Sequence, residues 1–557
     1  MIKFRALALL IFLSYFSFGQ IPNFEWNRTF HGNNNEDGWG ITIDEDGNVW
    51  TTGFYRGLFD SDPGADSSFL EDAAQSSVFI HKMSPTGELL WAGSFDGTNQ
   101  SFGYSITSDK AGHVFLTGYF SGRVDFDPTQ LENKISATSG NGSDAFLVKL
   151  DTDGNLIMVK VFESTGGIRP RRAALDMEGD IYIIGNFSGL ADFNPNSGEI
   201  NRAAVGSSSD LFILKLDPSG NFKWVNTMGG EASDFAFGLE VDQSNNVVIS
   251  GRFEGTVDFD PSSGIDNISS VGRRDIFVQK FDSEGNSLWV KTRGSNLDDN
   301  GNKLAIDEKD NIFVCGSFCE SVTFGSETLT SLGNQDGFIE KLDPNGNSLW
   351  VKQIAGSNFI IAQSIAFGFI DNSIVSAGYF KGTANFNPEG TDFKINSAGE
   401  LDIFITVIDE DGNFEWAGSL GGILNDFSGE VIAEENAFYL TGRMRDTADA
   451  DPTVDQDMRH LHGDDMFVLK MTNQSAGIRA ENKESQLFYP NPSTGNFNLD
   501  KNIQIRDLKV FTELGQEVDL ESIKLSNNQL IMYVPKGVYF ITGNYKNKHF
   551  AQKVIVY

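Results

Sequence analysis

Cysteine is nearly missing from this chain of 557 residues: there are two. A disulfide framework is thereby excluded, because such scaffolds need several bridges to stand in for a core. Histidine is scarce as well, at six, and no H-E-x-x-H, G-x-S-x-G or phosphate-loop spacing occurs. Proline numbers only 14, too few for a collagen-like or proline-rich chain. Basic residues are outnumbered, 42 against 77 acids, for a formal charge of −35. Such a field repels phosphate, so nucleic acid and anionic lipid are not expected partners. Past the first 19 residues no apolar run approaches the ~20 residues of a membrane helix, so no transmembrane segment is expected in the mature chain.

What is present is aromatic and glycine-rich: 47 Phe and 59 Gly. A disordered chain does not carry that aromatic load, and the length exceeds one ordinary domain, so several cores or a repeat array are expected.

Both ends read as addresses. Lys3 and Arg5 precede an apolar run from Ala6 to Phe18, followed by Gly19 and Gln20. This is the pattern of a secretory signal over residues 1–19, with cleavage between Gly19 and Gln20. At the other end the composition shifts. Residues 487–557 hold eight bases and six acids and no Trp, whereas 20–486 hold 32 bases and 71 acids. A polar stretch around residues 475–486 reads as a linker. After it, alternating apolar residues broken by Gly and Asn predict a small β-sandwich over 487–557.

That C-terminal stretch is similar to the sorting domain of type IX secretion substrates. The resemblance rests on Tyr489-Pro490-Asn491-Pro492 with Gly495 and Phe497, on Gly515 in the L-G-x-x-V turn, on Gly537 and Tyr539 in the P-x-G-x-Y strand, and on Lys553 near the end. It implies the type IX machinery as a partner, passage across an outer membrane, and release or attachment at the cell surface.

Between the ends the chain repeats. A Val-Asp-Phe-Asp-Pro motif recurs with prolines at 63, 128, 195, 261, 388 and 452, with a degenerate copy at Ser326. A glycine keeps the same register at 53, 118, 185, 251, 316, 378 and 442. Seven copies of about 65 residues each carry four strand-like runs. Several runs, such as Leu211–Leu214, are apolar throughout, which implies sheets covered on both faces. Small four-stranded sheets stacked in this way describe propeller blades. Trp26 precedes any first strand, and the last copy lacks a fourth, so the N-terminal segment Phe24–Phe30 is expected to complete it. The fold expected is all-β: a seven-bladed β-propeller over 20–474, closed by an N-terminal strand and followed by the small C-terminal domain. The D-x-F-x-x-K-L-D-x-x-G-N-x-x-W hairpin and its partner also resemble the bacterial propeller repeats known as SBBP. That likeness supports the fold and brings no defined activity.

Four features of the repeats could make a site. Paired Asx residues, Asp60/Asp62, Asp125/Asp127, Asp192/Asn194, Asp258/Asp260, Asn385/Asn387 and Asp449/Asp451, could offer oxygens to Ca²⁺, the one cofactor considered. Turn chemistry accounts for them equally and is the stronger reading, since Asn replaces Asp freely. Just before the first strand the residue varies: Trp39, Tyr104, Arg171, Phe237, Asn302, Gly429. Aromatics there could stack on sugars or could plug the ring. Arg169-Pro170-Arg171-Arg172 and Arg273-Arg274 could clamp a carboxylate, or pair with neighbouring acids. His460 and His462 would share a strand face with His31 near them; zinc needs three or four ligands, and coincidence is the stronger reading. Cys315 and Cys319, four apart on an extended strand, are expected as two buried apolar groups, with a bridge as the alternative.

The function expected is a non-catalytic binding or scaffold propeller at the cell surface, engaging an extracellular glycan or protein. The alternatives are a carbohydrate-active enzyme using carboxylates on the same face, and a purely structural surface component.

Overall fold

In the computed structural model the described residues are 22–64, 66–71, 75–129, 131–138, 142–262, 264–453 and 455–473, and, toward the C-terminus, 496–498, 506–512, 518, 523–526, 529–545 and 548–556. The chain divides into two compact units, Met1–Thr472 and Asn473–Tyr557.

The first unit is all-β with propeller architecture. The fourth repeat shows its building block: Phe235–Val241, Val247–Asp258, Asn267–Phe281 and Ser287–Arg293 form one antiparallel four-stranded sheet in chain order. The central strands of these meanders are buried along their whole length, as in Val49–Tyr55, Asp210–Leu216 and Ile312–Phe318. Their continuous apolar runs are therefore those of strands packed on both faces. First strands of successive repeats neighbour one another around a closed ring, in which Phe427–Glu434 meets Asp37–Ile43.

The expectation of seven separate blades needs correction. Five sheets each hold a single meander, those of the first to fifth repeats. The meanders of the sixth and seventh repeats share one ten-stranded sheet, joined where Gly421 and Gly422 pair with Asp449 and Ala448. The reason is a recurrent staple. The end of a fourth strand hydrogen-bonds the short strand of the following repeat's Asp-Pro hairpin, as in Glu163 with Asp192 and Ala355 with Asn385. In Ala437–Asp449 the stapled hairpin strand is also continuous with its meander, so the two sheets merge there. The N-terminal strand Pro22–Gly32 lies beside Met458–Asn473 and supplies the missing fourth strand. Its own end is stapled onward, His31 to Asp60.

The repeated motif is an inter-repeat latch. In the D-x-x-G-N turn, Asp217 Oδ1 accepts the amides of Ser219 and Asn221, and Oδ2 accepts the Asn221 side-chain amide. Gly220 adopts φ +74°, a left-handed conformation that glycine reaches without strain. The Trp of one fourth strand donates into the next repeat's turn: Trp289 Nε1 to Pro344 O at 3.2 Å, and Trp26 Nε1 to Pro85 O at 3.3 Å across the closure. The Lys of the third strand reaches the same turn and the Asp of its own repeat, Lys280 Nζ lying 2.7 Å from Asp242 Oδ2. Replacing Trp289 by Phe removes one hydrogen bond and the second ring of the indole from the packing between repeats, so a loss of about 1–3 kcal/mol is expected in equilibrium unfolding.

Cys315 and Cys319 are both free and buried, so no bridge forms. Cys315 packs in the core between the fifth and sixth repeats.

In the second unit two three-stranded sheets occur, one from Asn496–Asn498, Gln529–Met532 and Ile523–Ser526, the other from Arg506–Thr512, Gly537–Tyr545 and Lys548–Val556. Val510, Leu530, Met532, Tyr539, Ile541 and Val556 form one cluster drawn from both. The Tyr539 hydroxyl donates to Pro535 O at 2.8 Å, fixing the P-x-G-x-Y turn. Gly537 opens the same strand, and Phe497 and Lys553 lie on strands by their backbone. Tyr489, Pro490, Asn491, Pro492, Gly495 and Gly515 lie outside the described residues, as do Gly19 and Gln20.

Candidate functional site

The variable position expected just before the first strand lies inside it. Gly38 pairs with Gly53 and Gly40 with Thr52, leaving Trp39 as the extra residue of a β-bulge. Tyr104, Arg171 and Phe237 sit in the same bulge of their repeats. In the fifth repeat Asn302 and Lys303 together face Cys315, and in the seventh Gly429 and Glu430 face Thr441, again one residue in excess. A bulge re-aims its side chain out of the alternation of the strand. Bulge residues from all seven repeats, Gln363 representing the sixth, therefore converge on one cavity of about 370 Å³ at the ring. Gln363 escaped the sequence reading because its neighbours Ile360 to Ala362 are not the usual acid and aromatic.

The four expected ligand contacts Trp39, Tyr104, Arg171 and Phe237 thus share one mouth. Trp39 stacks on Tyr104 with centroids 4.5 Å apart. The Arg171 guanidinium lies 4.6 Å over the Tyr104 ring, and Arg443 lies 4.6 Å over Phe427. Just outside, Arg169 covers Tyr119 at 5.0 Å, and Arg252 covers Phe235 and Phe237 at 5.0 and 5.4 Å. Such cation–aromatic pairs hold both partners in fixed orientation while leaving guanidinium edges available.

Below the aromatics sits a buried ionic triad. Glu430 bonds Arg172, and its Oε1 lies 2.5 Å from Lys303 Nζ. Against the upward push of burial, Arg172 and then Lys303 hold the Glu430 carboxyl below its ordinary range. Burial, with Arg172, pushes Lys303 down to about 8. Asp37 is raised to about 7 by burial, against the pull of Arg443 at 3.2 Å. The two acids of the mouth are thus displaced in opposite directions. A second cavity of about 720 Å³ is lined by Glu240, Asp242, Asp307, Glu308, Asp371 and Glu435 among others.

Of the basic spot, Arg172 pairs with Glu430, Arg273 with Asp298 at 3.3 Å, and Arg274 with Glu254 at 3.5 Å. Among the described residues Arg169 and Arg171 are the exceptions, each lying over a tyrosine ring instead.

The paired Asx residues do turn work. Asp60 Oδ1 accepts the amides of Asp62 and Ser68, and Asp62 Oδ1 accepts that of Gly64. Asp125 takes Asp127 and Asn133, and Asp127 takes Thr129. Asp258 takes Asp260 and Asp266, and Asp260 takes Ser262. Asp449 takes Asp451 and Asp457, and Asp451 takes Thr453. Asp192 and Asn385 bond in the same way. In each copy the first side chain closes an eight-residue loop onto itself, and Asn serves as well as Asp because an amide oxygen accepts equally. Among the described residues, no three His, Cys, Asp or Glu side chains group with metal-binding geometry. His31 bonds Asp465 at 2.6 Å and His460 bonds Thr447 at 3.1 Å. The side chain of His462 lies outside the described residues.

Comparison with known proteins fixes the address. Residues 487–557 match the family model described as a secretion system C-terminal sorting domain. The chain is therefore exported through type IX secretion, to the cell surface or the extracellular space. Among the described residues no helix is long and apolar enough to cross a membrane. The chain is similar to an uncharacterized WD repeat-containing protein of Acanthamoeba polyphaga mimivirus, 23% identical over 471 residues, covering 70% of this chain and 34% of that one. It is also similar to the regulatory protein FlaEY of Caulobacter vibrioides, 25% identical over 191 residues, covering 34% of this chain and 20% of that one. The chain thus spans about a third and a fifth of these relatives. Among solved structures, the WD40 β-propeller domain of Doa1 aligns at 9% identity and TM-score 0.34, covering 82% of this chain and 98% of that one. A quinohemoprotein alcohol dehydrogenase from Pseudomonas putida aligns at 10% identity and TM-score 0.35, covering 86% and 79%.

Proposed function

We propose that the chain is a binding propeller at the cell surface, and that the mouth formed by the bulged residues engages an extracellular glycan. The observation that carries this reading is convergence. Positions about 65 residues apart in sequence, otherwise free to vary, deliver Trp39, Tyr104 and Phe237 to one half-buried rim. Aromatic faces fixed by neighbouring rings and guanidiniums suit the apolar face of a sugar at low entropic cost. The repeats, in our reading, are of the SBBP type, and the two small C-terminal sheets are the halves of a sandwich. Calcium is not needed for the mouth to act.

A second reading, a carbohydrate-active enzyme, draws on Asp37 and Glu430. They line the same cavity with protonation pushed apart, as an acid and a base require. Native gels containing a panel of polysaccharides test the first reading, since retardation by a polymer supports it and free migration through all of them removes it. Release of reducing ends from a retarding polymer, abolished by Asp37→Asn, would favour the second.

A further inference from the structure

The mouth carries positive charge that its own acids do not use. Its lining holds four basic side chains and two acidic ones, in a chain of net charge −35. Glu430 is taken by Arg172 and Lys303, and Asp37 by Arg443. Arg171 is left over. Among the described residues it makes no ion pair, and its Nε has no hydrogen-bond partner although it is shielded from solvent. The Tyr104 ring beneath it supports the guanidinium face and leaves the edge free.

The neighbourhood sharpens this. The Nε of Arg252 is likewise without a partner. Burial, then Arg274, push Arg252 down to about 10, and Arg171 adds to the effect. Guanidiniums that crowd one another at a partly desolvated rim gain most from a shared anion. Among the described residues three other polar atoms of the same lining are without a hydrogen-bond partner, one of them the Nε of Arg443, whose guanidinium is already paired with Asp37. Ser428 is only 7% exposed with its Oγ unbonded, and the second oxygen of Glu430 has no hydrogen-bond partner. A hydroxyl and a carboxylate oxygen in such places suit ring hydroxyls, which both donate and accept.

Resting on the glycan reading of the mouth, we propose that its ligand is an acidic sugar, whose carboxylate pairs with the Arg171 guanidinium while ring hydroxyls bond Ser428 and Glu430. A planar carboxylate matches the two-pronged guanidinium edge, whereas a neutral sugar would leave it buried and unpaired. Non-specific attraction cannot imitate this ligand, since the chain as a whole repels polyanions.

The test is titration calorimetry on the mature chain, residues 20–557, with fragments of polygalacturonate, alginate and hyaluronan. Methyl-esterified polygalacturonate, neutral glucan and dextran sulfate serve as comparisons. Binding of at least one uronate is expected, weakened at least tenfold where its neutral counterpart is the methyl ester. Arg171→Gln should weaken the uronate by about 10- to 100-fold at unchanged thermal midpoint, with Arg171→Lys between the two. Equal binding of a neutral glucan or of the ester overturns the acidic-sugar proposal and leaves the glycan reading standing. Binding of dextran sulfate alone overturns it in favour of a sulfated ligand. Silence from every polymer, neutral ones included, removes the glycan reading itself. An unchanged affinity in a folded Arg171→Gln variant overturns the placement.

Discussion

Glu430→Gln is expected to cost about 3–5 kcal/mol of stability, the cost of breaking a buried ion pair from one side. Glu430 is 4% exposed and pairs directly with both Arg172 and Lys303, which come from the third and fifth repeats, while Glu240 acts on both only at longer range. The neutral amide leaves two buried cations facing one another across the ring. Their mutual repulsion is already visible in Lys303, which burial and Arg172 together hold near 8. Adding Lys303→Met to Glu430→Gln should return part of the loss, because the second variant removes one of the stranded charges. Thermal and denaturant unfolding of the two variants check this. Equal stability of wild type and Glu430→Gln would mean that the triad contributes no net attraction.

The second large effect is a stability that falls as pH rises. At three junctions between repeats a buried aspartate on a third strand faces an aspartate beside the next first strand: Asp210 with Asp234, Asp275 with Asp299, and Asp402 with Asp426. Glu36 and Asp465 meet in the same way at the closure. Where the second position is Ile168 or Ile360, the first aspartate uses both oxygens. Asp144 accepts from Ser164 and Thr138, and Asp336 from Gly356 and Leu332. Where it is an acid, the newcomer takes one of those amides: Gly230 now donates to Asp234 and Gly422 to Asp426. Asp210 Oδ1 and Asp402 Oδ1 are then left without a hydrogen bond.

Burial raises Asp210, Asp234 and Asp426 to about 7 and Asp402 to about 6, with the facing carboxylate adding to Asp234 and Asp426. A raised carboxyl means that the folded chain holds protons which the unfolded chain has released above pH ~4. These groups therefore stabilise fully below pH ~4 and lose their contribution as pH rises through 6 to 7. The loss is on the order of 3 kcal/mol per pair. The turn aspartates oppose this at the acid end. Against the push of burial, the Asn286 side chain and nearby amides hold Asp282 low, so its contribution disappears on acidification. Asp402→Asn should raise the thermal midpoint at pH 8 and change it little at pH 4.5. An equal change at both values would contradict the account that the folded chain retains these protons.

Much of the architecture was legible because the repeats are written in turn chemistry. Each D-x-x-G-N turn, each strand-marking Trp and each Asp-Pro hairpin has a local cause that survives in a single sequence. Trp26 and the incomplete last copy likewise pointed to the N-terminal strand. The merging of the last two repeats into one sheet was not legible, because it depends on two residue pairs between distant strands, Gly421 with Asp449 and Gly422 with Ala448. Nor was the bulge. An extra residue in a strand looks, in sequence, like the residue before one, so Trp39 and its equivalents were placed one step too early. The Arg172–Glu430–Lys303 triad joins residues 258 and 127 positions apart, and no local pattern announces it.

The most direct measurement of the central claim is retardation in polysaccharide native gels of the wild type beside Trp39→Ala and Phe237→Ala. The account predicts that at least one polymer slows the wild type, and that both variants, still folded, run free or nearly so. Equal slowing of all three, or none of the wild type by any polymer, would contradict a glycan site at the ring mouth.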